Sequence, residues 1–198
     1  MYNKHTVESC TAVILAGGES RRMGADKAST LLHGKPLVQH VLEQLQPLFV
    51  DVLMSVRELR PEISCRQIID LSKERGPMVG IAAALEQLET EWIFVIGCDM
   101  PFVSKPLIEL LASKRQHYDA VLTYTHGRPQ PLFGFYAKSS LPLMHRRLEQ
   151  GNRSMMRLLD TLNCCMLDEQ QVKNIDPQLQ SLISLDSPED IQQMELNR

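Results

Sequence analysis

The sequence predicts an α/β fold with three layers, α/β/α, around a mostly parallel sheet that contains an antiparallel strand. Apolar runs of strand length alternate with segments whose apolar residues repeat every three to four positions, as in strands joined by helical crossovers. The turn-rich segment 125–129 is too short for a crossover, so its flanking strands are expected to run antiparallel. The length of 198 residues suits one domain spanning residues 1–198.

The strands are predicted from short apolar runs that end at glycine, proline or polar turn residues. The predicted strands are residues 11–16, 50–56, 67–69, 92–96, 120–124, 132–136, 164–167 and 182–185. The run 11–16 ends at a pair of glycines, and the run 92–96 is apolar throughout. Continuous apolar character is typical of a strand that is buried on both faces of a parallel sheet.

The helices are predicted from apolar residues spaced near 3.6 positions apart. Pro36 opens the first helix and Pro47 ends it, as proline does at these two positions. The other predicted helices are residues 78–88, 106–115, 141–150, 154–162 and 188–196. Ligands of such sheets bind beyond the carboxyl ends of the strands, so segments 15–27, 70–80 and 98–102 are expected to form one site.

Composition and charge exclude several classes of protein. The chain has 21 basic and 24 acidic residues, and a net charge of −3 argues against a protein that coats nucleic acid. No apolar run approaches the roughly 20 residues that span a membrane, and the N-terminus leads into no secretory-type stretch. The five cysteines include no Cys-x-x-Cys and no zinc-like spacing. We therefore expect a soluble, cytoplasmic protein without disulfides.

The segment 15–28, LAGGESRRMGADKA, has the composition of a phosphate-binding loop. Its glycines allow backbone amides to approach an anion, and Arg21, Arg22 and Lys27 add positive charge. It is neither a dinucleotide-binding fingerprint nor a P-loop, because it lacks the spacing of both motifs. The alternative is a solvated basic turn with no ligand.

The same segment resembles the signature L-A-G-G-x-S-x-R-M-G-x-D-K of the molybdenum cofactor guanylyltransferases (MobA family). These are nucleotidyltransferases with a Rossmann-like, glycosyltransferase-A-like fold. Every fixed position is present. Relatives that use CTP usually have alanine at the position of Gly17, so this residue favours guanine. The resemblance continues at residues 34–37, 76–81, 98–101 and 187–190 and therefore spans most of the chain.

The resemblance implies a role for each part of the loop and for the chemistry. Backbone groups of four residues are expected to contact GTP: Leu15, Ala16, Gly17 and Gly18. Arg22 and Lys27 are expected to hold the triphosphate, and Lys27 to neutralise charge at the reacting α-phosphate. These two residues and Asp99 form the implied catalytic set.

Asp99 follows the predicted strand 92–96, and the resemblance identifies it as the Mg²⁺ ligand that also contacts GTP. Mg²⁺ takes one or two carboxylates together with phosphate oxygens and water. The alternative for Asp99 is a turn aspartate that precedes Met100 and Pro101. Asp186 is a second candidate for the metal, because relatives often have asparagine there. It could instead cap the helix that Pro188 opens.

Asp70 follows the strand 67–69, and the resemblance implies that it contacts the guanine nucleotide. A carboxylate suits the N–H donors of guanine. Relatives often have asparagine near Met54 or Ser55; Met54 lacks the required polar group, and strand alternation places the two side chains on opposite faces. Gly80 could approach the ribose or could serve helix–sheet packing.

Molybdopterin, the second substrate implied by the resemblance, has a terminal phosphate. The candidates for binding it are Arg128, Gln130, Arg153 and Ser154. The segment 151–154 resembles a family turn that precedes a helix, and arginines near a helix N-terminus attract phosphate. Solvated arginines at a turn are the alternative.

The resemblance thus implies transfer of GMP from GTP to molybdopterin, the Mo-molybdopterin cofactor, with the C-terminal part of the chain binding molybdopterin and the N-terminal part binding GTP. Molybdoenzymes or their chaperones are further partners to consider; no nucleic acid or membrane is expected. Two alternatives stay open. One is a cytidylyltransferase or another nucleotidyltransferase of the same fold, and the other is a GTP-binding protein without catalytic activity.

Overall fold

The computed structural model describes residues 7–17, 27–70 and 75–196. The strands are β1 (Val7–Leu15), β2 (Leu31–Leu32), β3 (Lys35–Pro36), β4 (Phe49–Val56), β5 (Arg66–Ile69), β6 (Trp92–Gly97), β7 (Ala120–Thr125), β8 (Arg128–Ala137) and β9 (Cys164–Leu167). The α-helices are α1 (Leu37–Leu45), α2 (Pro77–Gln87), α3 (Lys105–Ser113), α4 (Leu141–Glu149), α5 (Met155–Leu159), α6 (Glu169–Lys173) and α7 (Pro188–Leu196).

Within these residues, seven strands form one sheet in the order β5-β4-β1-β6-β8-β7-β9. Strands β5, β4, β1 and β6 are parallel, and β7 and β9 are parallel to each other. Strand β8 is antiparallel to both of its neighbours, because the turn at His126 and Gly127 reverses the chain directly. The predicted mostly parallel sheet with an antiparallel strand is confirmed. Its carboxyl-end edge therefore includes the ends of six strands and the start of β8.

Helices cover both faces of the sheet, which confirms the predicted α/β/α layering. Along β6, Phe94 and Ile96 belong to an apolar cluster with α1 and α3. The alternate residues Ile93 and Val95 belong to a second cluster, which includes α2, α4 and α5. Successive side chains of a strand point to opposite faces, so the unbroken apolar run of β6 is explained by burial on both sides.

Most predicted elements are present, but the strand predicted at 182–185 is wrong. A short 3₁₀ helix, Gln180–Leu182, is followed there by irregular backbone. The segment is apolar because Leu185 packs in a small cluster with Leu32, Leu37 and Ile191, outside the sheet. The backbone N–H of Leu185 donates to the carbonyl of Asp99 at 2.9 Å, so the segment crosses the end of β6.

Two elements were not predicted from the sequence. The first is the two-stranded pair β2–β3, whose four residues are too few to show a period. The second is α6, which begins with a capping box between Asp168 and Gln171. In the part of the chain that the structure describes, no helix has the length and apolar character needed to cross a membrane.

Candidate functional site

A cleft opens at the carboxyl ends of β1, β4, β5 and β6. Strand β1 lies at the centre, with β4 on one side and β6 on the other, so the sheet reverses its order there. Such a switch point is where α/β sheets bind ligands. The lining residues include Leu15, Ala16, Gly17, Lys27, Ser55, Arg57, Asp70, Gly80 and Asp99. The described residues of the three segments predicted to converge therefore line one cleft.

Lys27 lies between two carboxylates at the inner end of the cleft. Its Nζ atom donates to Asp99 Oδ2 at 2.8 Å and also to Asp186 Oδ1. Asp99 is 9% exposed and comes two residues after β6, whereas Asp186 is the second residue before α7. The hydrogen bond between the backbones of Leu185 and Asp99 holds these two segments together. The fold thus brings three charged residues from distant parts of the chain into one cluster.

The helix-cap alternative for Asp186 is wrong, because Ser187 caps α7. The N–H of Asp190 donates to Ser187 Oγ at 3.2 Å, and the N–H of Ser187 donates to Asp190 Oδ2 at 2.8 Å. This reciprocal pair is a capping box in which aspartate takes the place of glutamate. The side chain of Asp186 is directed instead to Lys27.

The cluster keeps Lys27 positively charged. Partial burial lowers the pKa of the Lys27 ammonium, but hydrogen bonds to Asp186 and Asp99 and the charges of both carboxylates outweigh that effect. The pKa is therefore raised above its ordinary value. A lysine that stays protonated donates hydrogen bonds and supplies positive charge, and it does not act as a base or nucleophile.

The two carboxylates fit a divalent cation. Among the described residues, no group of three or more acidic, histidine or cysteine side chains is arranged to hold a metal. Mg²⁺ needs fewer protein ligands, because it takes one or two carboxylates and completes its shell with phosphate oxygens and water. Asp99 and Asp186 contact the same ammonium, so their oxygens already converge on one cation.

The other wall of the cleft is formed by the ends of β4 and β5. Met54 is fully buried in the apolar core, whereas Ser55 lines the cleft. The expected alternation is therefore confirmed, and Ser55 is the residue that can meet a ligand. Asp70 also lines the cleft and is 9% exposed, and its N–H donates to the carbonyl of Val56 at 2.9 Å.

Arg57 also lines this wall and was not identified from the sequence. Its Nη1 atom lies 3.9 Å from Asp70 Oδ2, and its side chain is 31% exposed. Arg57 directly follows β4, and ligands of such sheets bind beyond the carboxyl ends of the strands. The same reasoning that identified Asp70 after β5 could therefore have identified Arg57.

Gly80, in the first turns of α2, serves helix–sheet packing, one of its two suggested roles, and its approach to the ribose stays a prediction. A Cβ atom at this position would lie 3.1 Å from Leu15 Cδ2 and 3.1 Å from Ser55 Oγ. The absence of a side chain therefore allows α2 to pack closely on the ends of β1 and β4. Gly80 also lines the cleft, so the same close packing shapes the cleft wall.

Cys98 lines the cleft but is unsuited to nucleophilic chemistry. Burial, and after it the neighbouring charge of Asp99, raises the pKa of the Cys98 thiol to about 12. The thiolate is the reactive form of cysteine, and little of it exists near neutral pH. Cys98 is therefore not a nucleophile at the described part of the cleft near neutral pH.

The predicted molybdopterin residues lie apart from this cleft. Arg128 and Gln130 begin β8, in the strand that also provides Leu132 to the cleft wall. Ser154 caps α5 by accepting from the N–H of Arg157 at 3.3 Å, and Arg153 precedes it. Within the described chain, none of these four residues lines the cleft. Gly18, predicted to contact GTP through its backbone, and Arg22, predicted to hold the triphosphate, lie outside the described residues.

Comparisons with known proteins agree with this geometry. A family model described as a MobA-like NTP transferase domain matches residues 12–165. A probable molybdenum cofactor guanylyltransferase of Flavobacterium johnsoniae is 28% identical over 96% of this chain and 99% of its own length. The molybdenum cofactor guanylyltransferase of Vibrio parahaemolyticus is 32% identical over 91% of this chain and 92% of its own.

Solved structures show the same relationship. The molybdopterin-guanine dinucleotide biosynthesis protein A of Archaeoglobus fulgidus has a TM-score of 0.84 and 30% identity, covering 94% of this chain and 97% of that chain. The 2-C-methyl-D-erythritol 4-phosphate cytidylyltransferase of Thermus thermophilus has a TM-score of 0.68 at 15% identity, with coverage of 94% and 97%. At that identity the second similarity concerns the fold alone.

Proposed function

The chain belongs to the family of MobA-like NTP transferase domains, and we propose that it is a molybdenum cofactor guanylyltransferase. It transfers GMP from GTP to molybdopterin and releases pyrophosphate, forming the molybdopterin guanine dinucleotide cofactor. The observation that carries this proposal is the convergence of Asp99 and Asp186 on Lys27, since Lys27 and Asp99 line the cleft at the strand ends.

The reaction needs charge neutralisation more than proton transfer. A phosphate oxygen of molybdopterin attacks the α-phosphorus of GTP, and the bond from that phosphorus to the bridging oxygen breaks as pyrophosphate leaves. The attacking oxygen is already anionic at neutral pH, so the protein needs neither a covalent intermediate nor a strong general base. The raised pKa of Lys27 suits this chemistry, because a permanently charged ammonium can stabilise negative charge at the α-phosphate.

Asp99 and Asp186 are proposed to hold Mg²⁺, which, when bound, supplies positive charge to the phosphate oxygens. The convergence of both carboxylates on Lys27 supports this assignment. Lys27 would hold the α-phosphate beside them. Positioning and charge neutralisation together are sufficient for this class of transfer.

The two substrates are proposed to meet across the cleft. Backbone groups of residues 15–17 and the side chain of Asp70 would hold the GTP, since all of them line one cavity. Arg128 and Arg153 are proposed to bind the phosphate of molybdopterin. The position of Arg128 supports its assignment, because Arg128 is the first residue of β8 and the same strand provides Leu132 to the cleft wall.

A product assay tests the function. Purified protein is incubated with molybdopterin, Mg²⁺ and each of the four nucleoside triphosphates, and pyrophosphate release and the mass of the product are measured. We expect the guanine dinucleotide with GTP and little product with CTP. Binding of GTP without any dinucleotide would identify a non-catalytic GTP-binding protein, and a preference for CTP would identify a cytidylyltransferase.

Two variants connect the activity with the site. Asp99→Asn should lower turnover by about 10²–10³-fold, the usual cost of losing one such electrostatic contact, without unfolding the protein. Asp186→Asn should also lower turnover and should weaken the dependence of turnover on Mg²⁺. Near-normal turnover of Asp99→Asn in Mg²⁺ would show that Asp99 is not the principal metal ligand.

The cytoplasm is the proposed place of action. All five cysteines lie in the described part of the chain, and all are free thiols. Free thiols are typical of a reducing compartment. Fractionation of cells that produce the protein, with a cytoplasmic marker enzyme as the reference, tests this assignment.

A further inference from the structure

We propose that Arg57, together with Asp70, selects the guanine base of the nucleotide by contacting adjacent atoms of its pairing edge. This inference rests on the proposed function, because it concerns the base of the same substrate. It assigns to Arg57 a hydrogen bond to the O6 atom of guanine. Asp70 then accepts from the neighbouring N1–H and N2–H groups.

The fold places these two side chains next to each other. Strands β4 and β5 are parallel and pair Val56 with Ile69, so the following residues, Arg57 and Asp70, leave the sheet side by side. The N–H of Asp70 donates to the carbonyl of Val56 at 2.9 Å, which continues the ladder by one bond. Both side chains line the cleft. Their positions are thus set by the sheet and not by a long loop.

The chemistry of the pair matches guanine and no other common base. Arginine only donates hydrogen bonds, whereas an ionised aspartate only accepts them. Guanine presents the acceptor O6 beside the donors N1–H and N2–H on one edge. Cytosine and adenine present the opposite order, with an amino donor where guanine has O6. Uracil has the acceptor and one donor but lacks the second donor.

The distance between the charged groups suits this arrangement. Arg57 Nη1 and Asp70 Oδ2 are 3.9 Å apart, longer than a direct hydrogen bond. At this separation both groups can face neighbouring atoms of one planar edge. Asp70 is 9% exposed and Arg57 has a side chain 31% exposed, so the base would contact them at a partly buried site.

Binding measurements with nucleotide analogues test this assignment. 6-Thio-GTP replaces O6 by sulfur, a weaker acceptor, and ITP lacks the N2 amine. Affinities for GTP and both analogues are measured by calorimetry with Mg²⁺ and without molybdopterin, for the wild type, Arg57→Met and Asp70→Asn. Arg66→Met is the matched control, since Arg66 pairs with Asp51 at 2.7 Å on an exposed surface.

The wild type should prefer GTP to 6-thio-GTP and to ITP, each by roughly 5- to 150-fold, the range of a good base contact. Arg57→Met should abolish the preference over 6-thio-GTP and keep the preference over ITP. Asp70→Asn should do the reverse, and Arg66→Met should keep both. Arg57→Lys, which keeps the charge without the planar fork, should fall between the wild type and Arg57→Met.

The assignment is overturned if Arg57→Met weakens GTP and 6-thio-GTP equally, because Arg57 would then bind another part of the nucleotide. It is also overturned if the wild type does not distinguish these two nucleotides. The result is separable from the proposed function. The expected affinity ratios without dinucleotide formation would refute GMP transfer alone, whereas dinucleotide formation with an unaltered ratio in Arg57→Met would refute the role of Arg57 alone.

Discussion

Gly97→Ala should disable the enzyme by displacing the carboxylate of Asp99. Gly97 ends β6, and a Cβ atom built there would lie 2.5 Å from Asp99 Oδ1 and 3.4 Å from two atoms of the Met100 side chain. Contacts of Cβ atoms essentially never fall below 3.0 Å. The carboxylate must therefore move by about half an ångström or more, whereas the flexible Met100 side chain can adjust.

A shift of that size is large for a metal ligand. Ligand distances vary by only about 0.2 Å, and a displacement of about 1 Å in a reacting group can cost roughly 10²-fold in rate. We expect turnover to fall by about 10- to 100-fold and more Mg²⁺ to be needed for half-maximal rate. The backbone at Gly97 is not left-handed, so alanine is allowed and the midpoint of thermal unfolding should change by no more than about 4 °C.

The assay is pyrophosphate release as a function of Mg²⁺ concentration, measured for Gly97→Ala, Asp99→Asn and the double variant. If Gly97→Ala acts through Asp99, the double variant should be no slower than Asp99→Asn, because the same interaction can be lost only once. Losses that multiply in the double variant, or a normal Mg²⁺ dependence in Gly97→Ala, would refute this reasoning.

Three further predictions follow from the same site. Lys27→Ala should lower turnover by about 10²–10³-fold and should weaken GTP binding by a smaller factor, because negative charge develops at the α-phosphate in the transition state. An unchanged turnover with a higher KM for GTP would contradict this role of Lys27. Gly17→Ala adds a methyl group to the cleft wall about 3.4 Å from Arg57 Cγ, and the backbone accepts it without strain. Because the methyl group narrows the cleft, kcat/KM for GTP should fall by roughly 10- to 200-fold, with only a modest gain for CTP. Equal losses for both nucleotides would count against a role of Gly17 in base selection. Cys98, whose thiol pKa is raised to about 12, should resist iodoacetamide at pH 8, whereas the half-buried Cys65 and Cys165 should react. Peptide mass mapping identifies the labelled cysteines. Rapid labelling of Cys98 would contradict its burial.

The main features of the fold, and the site residues that follow the sheet strands, could be predicted from local patterns. Strand and helix periods are local, and the carboxyl ends of parallel strands must share one edge of the sheet. That rule was enough to bring Lys27, Asp70 and Asp99 into one cleft. It succeeded because Asp70 directly follows β5 and Asp99 comes two residues after β6, while Lys27 begins the 3₁₀ helix Lys27–Ser29, the first described element after β1.

The remaining features depend on contacts between distant residues. Asp186 and Ser187 are both good capping residues; Ser187 caps α7, whereas the side chain of Asp186 contacts Lys27, 159 residues away, and that contact could not be predicted from local sequence. Alternation separates Met54 from Ser55 but does not indicate which face is the cleft. The apolar run 182–185 was interpreted as a strand because burial in a cluster outside the sheet gives the same local pattern.

Transfer of GMP requires that the bond between the α- and β-phosphates of GTP is broken and that the nucleotide part goes to molybdopterin. The most direct measurement uses GTP labelled with ³²P at either the α- or the γ-phosphate, with separation of the products after one turnover. We expect the α label to move to the molybdopterin product and the γ label to be recovered entirely in pyrophosphate. Transfer of the γ label to molybdopterin, or release of the α label as free GMP, would contradict it.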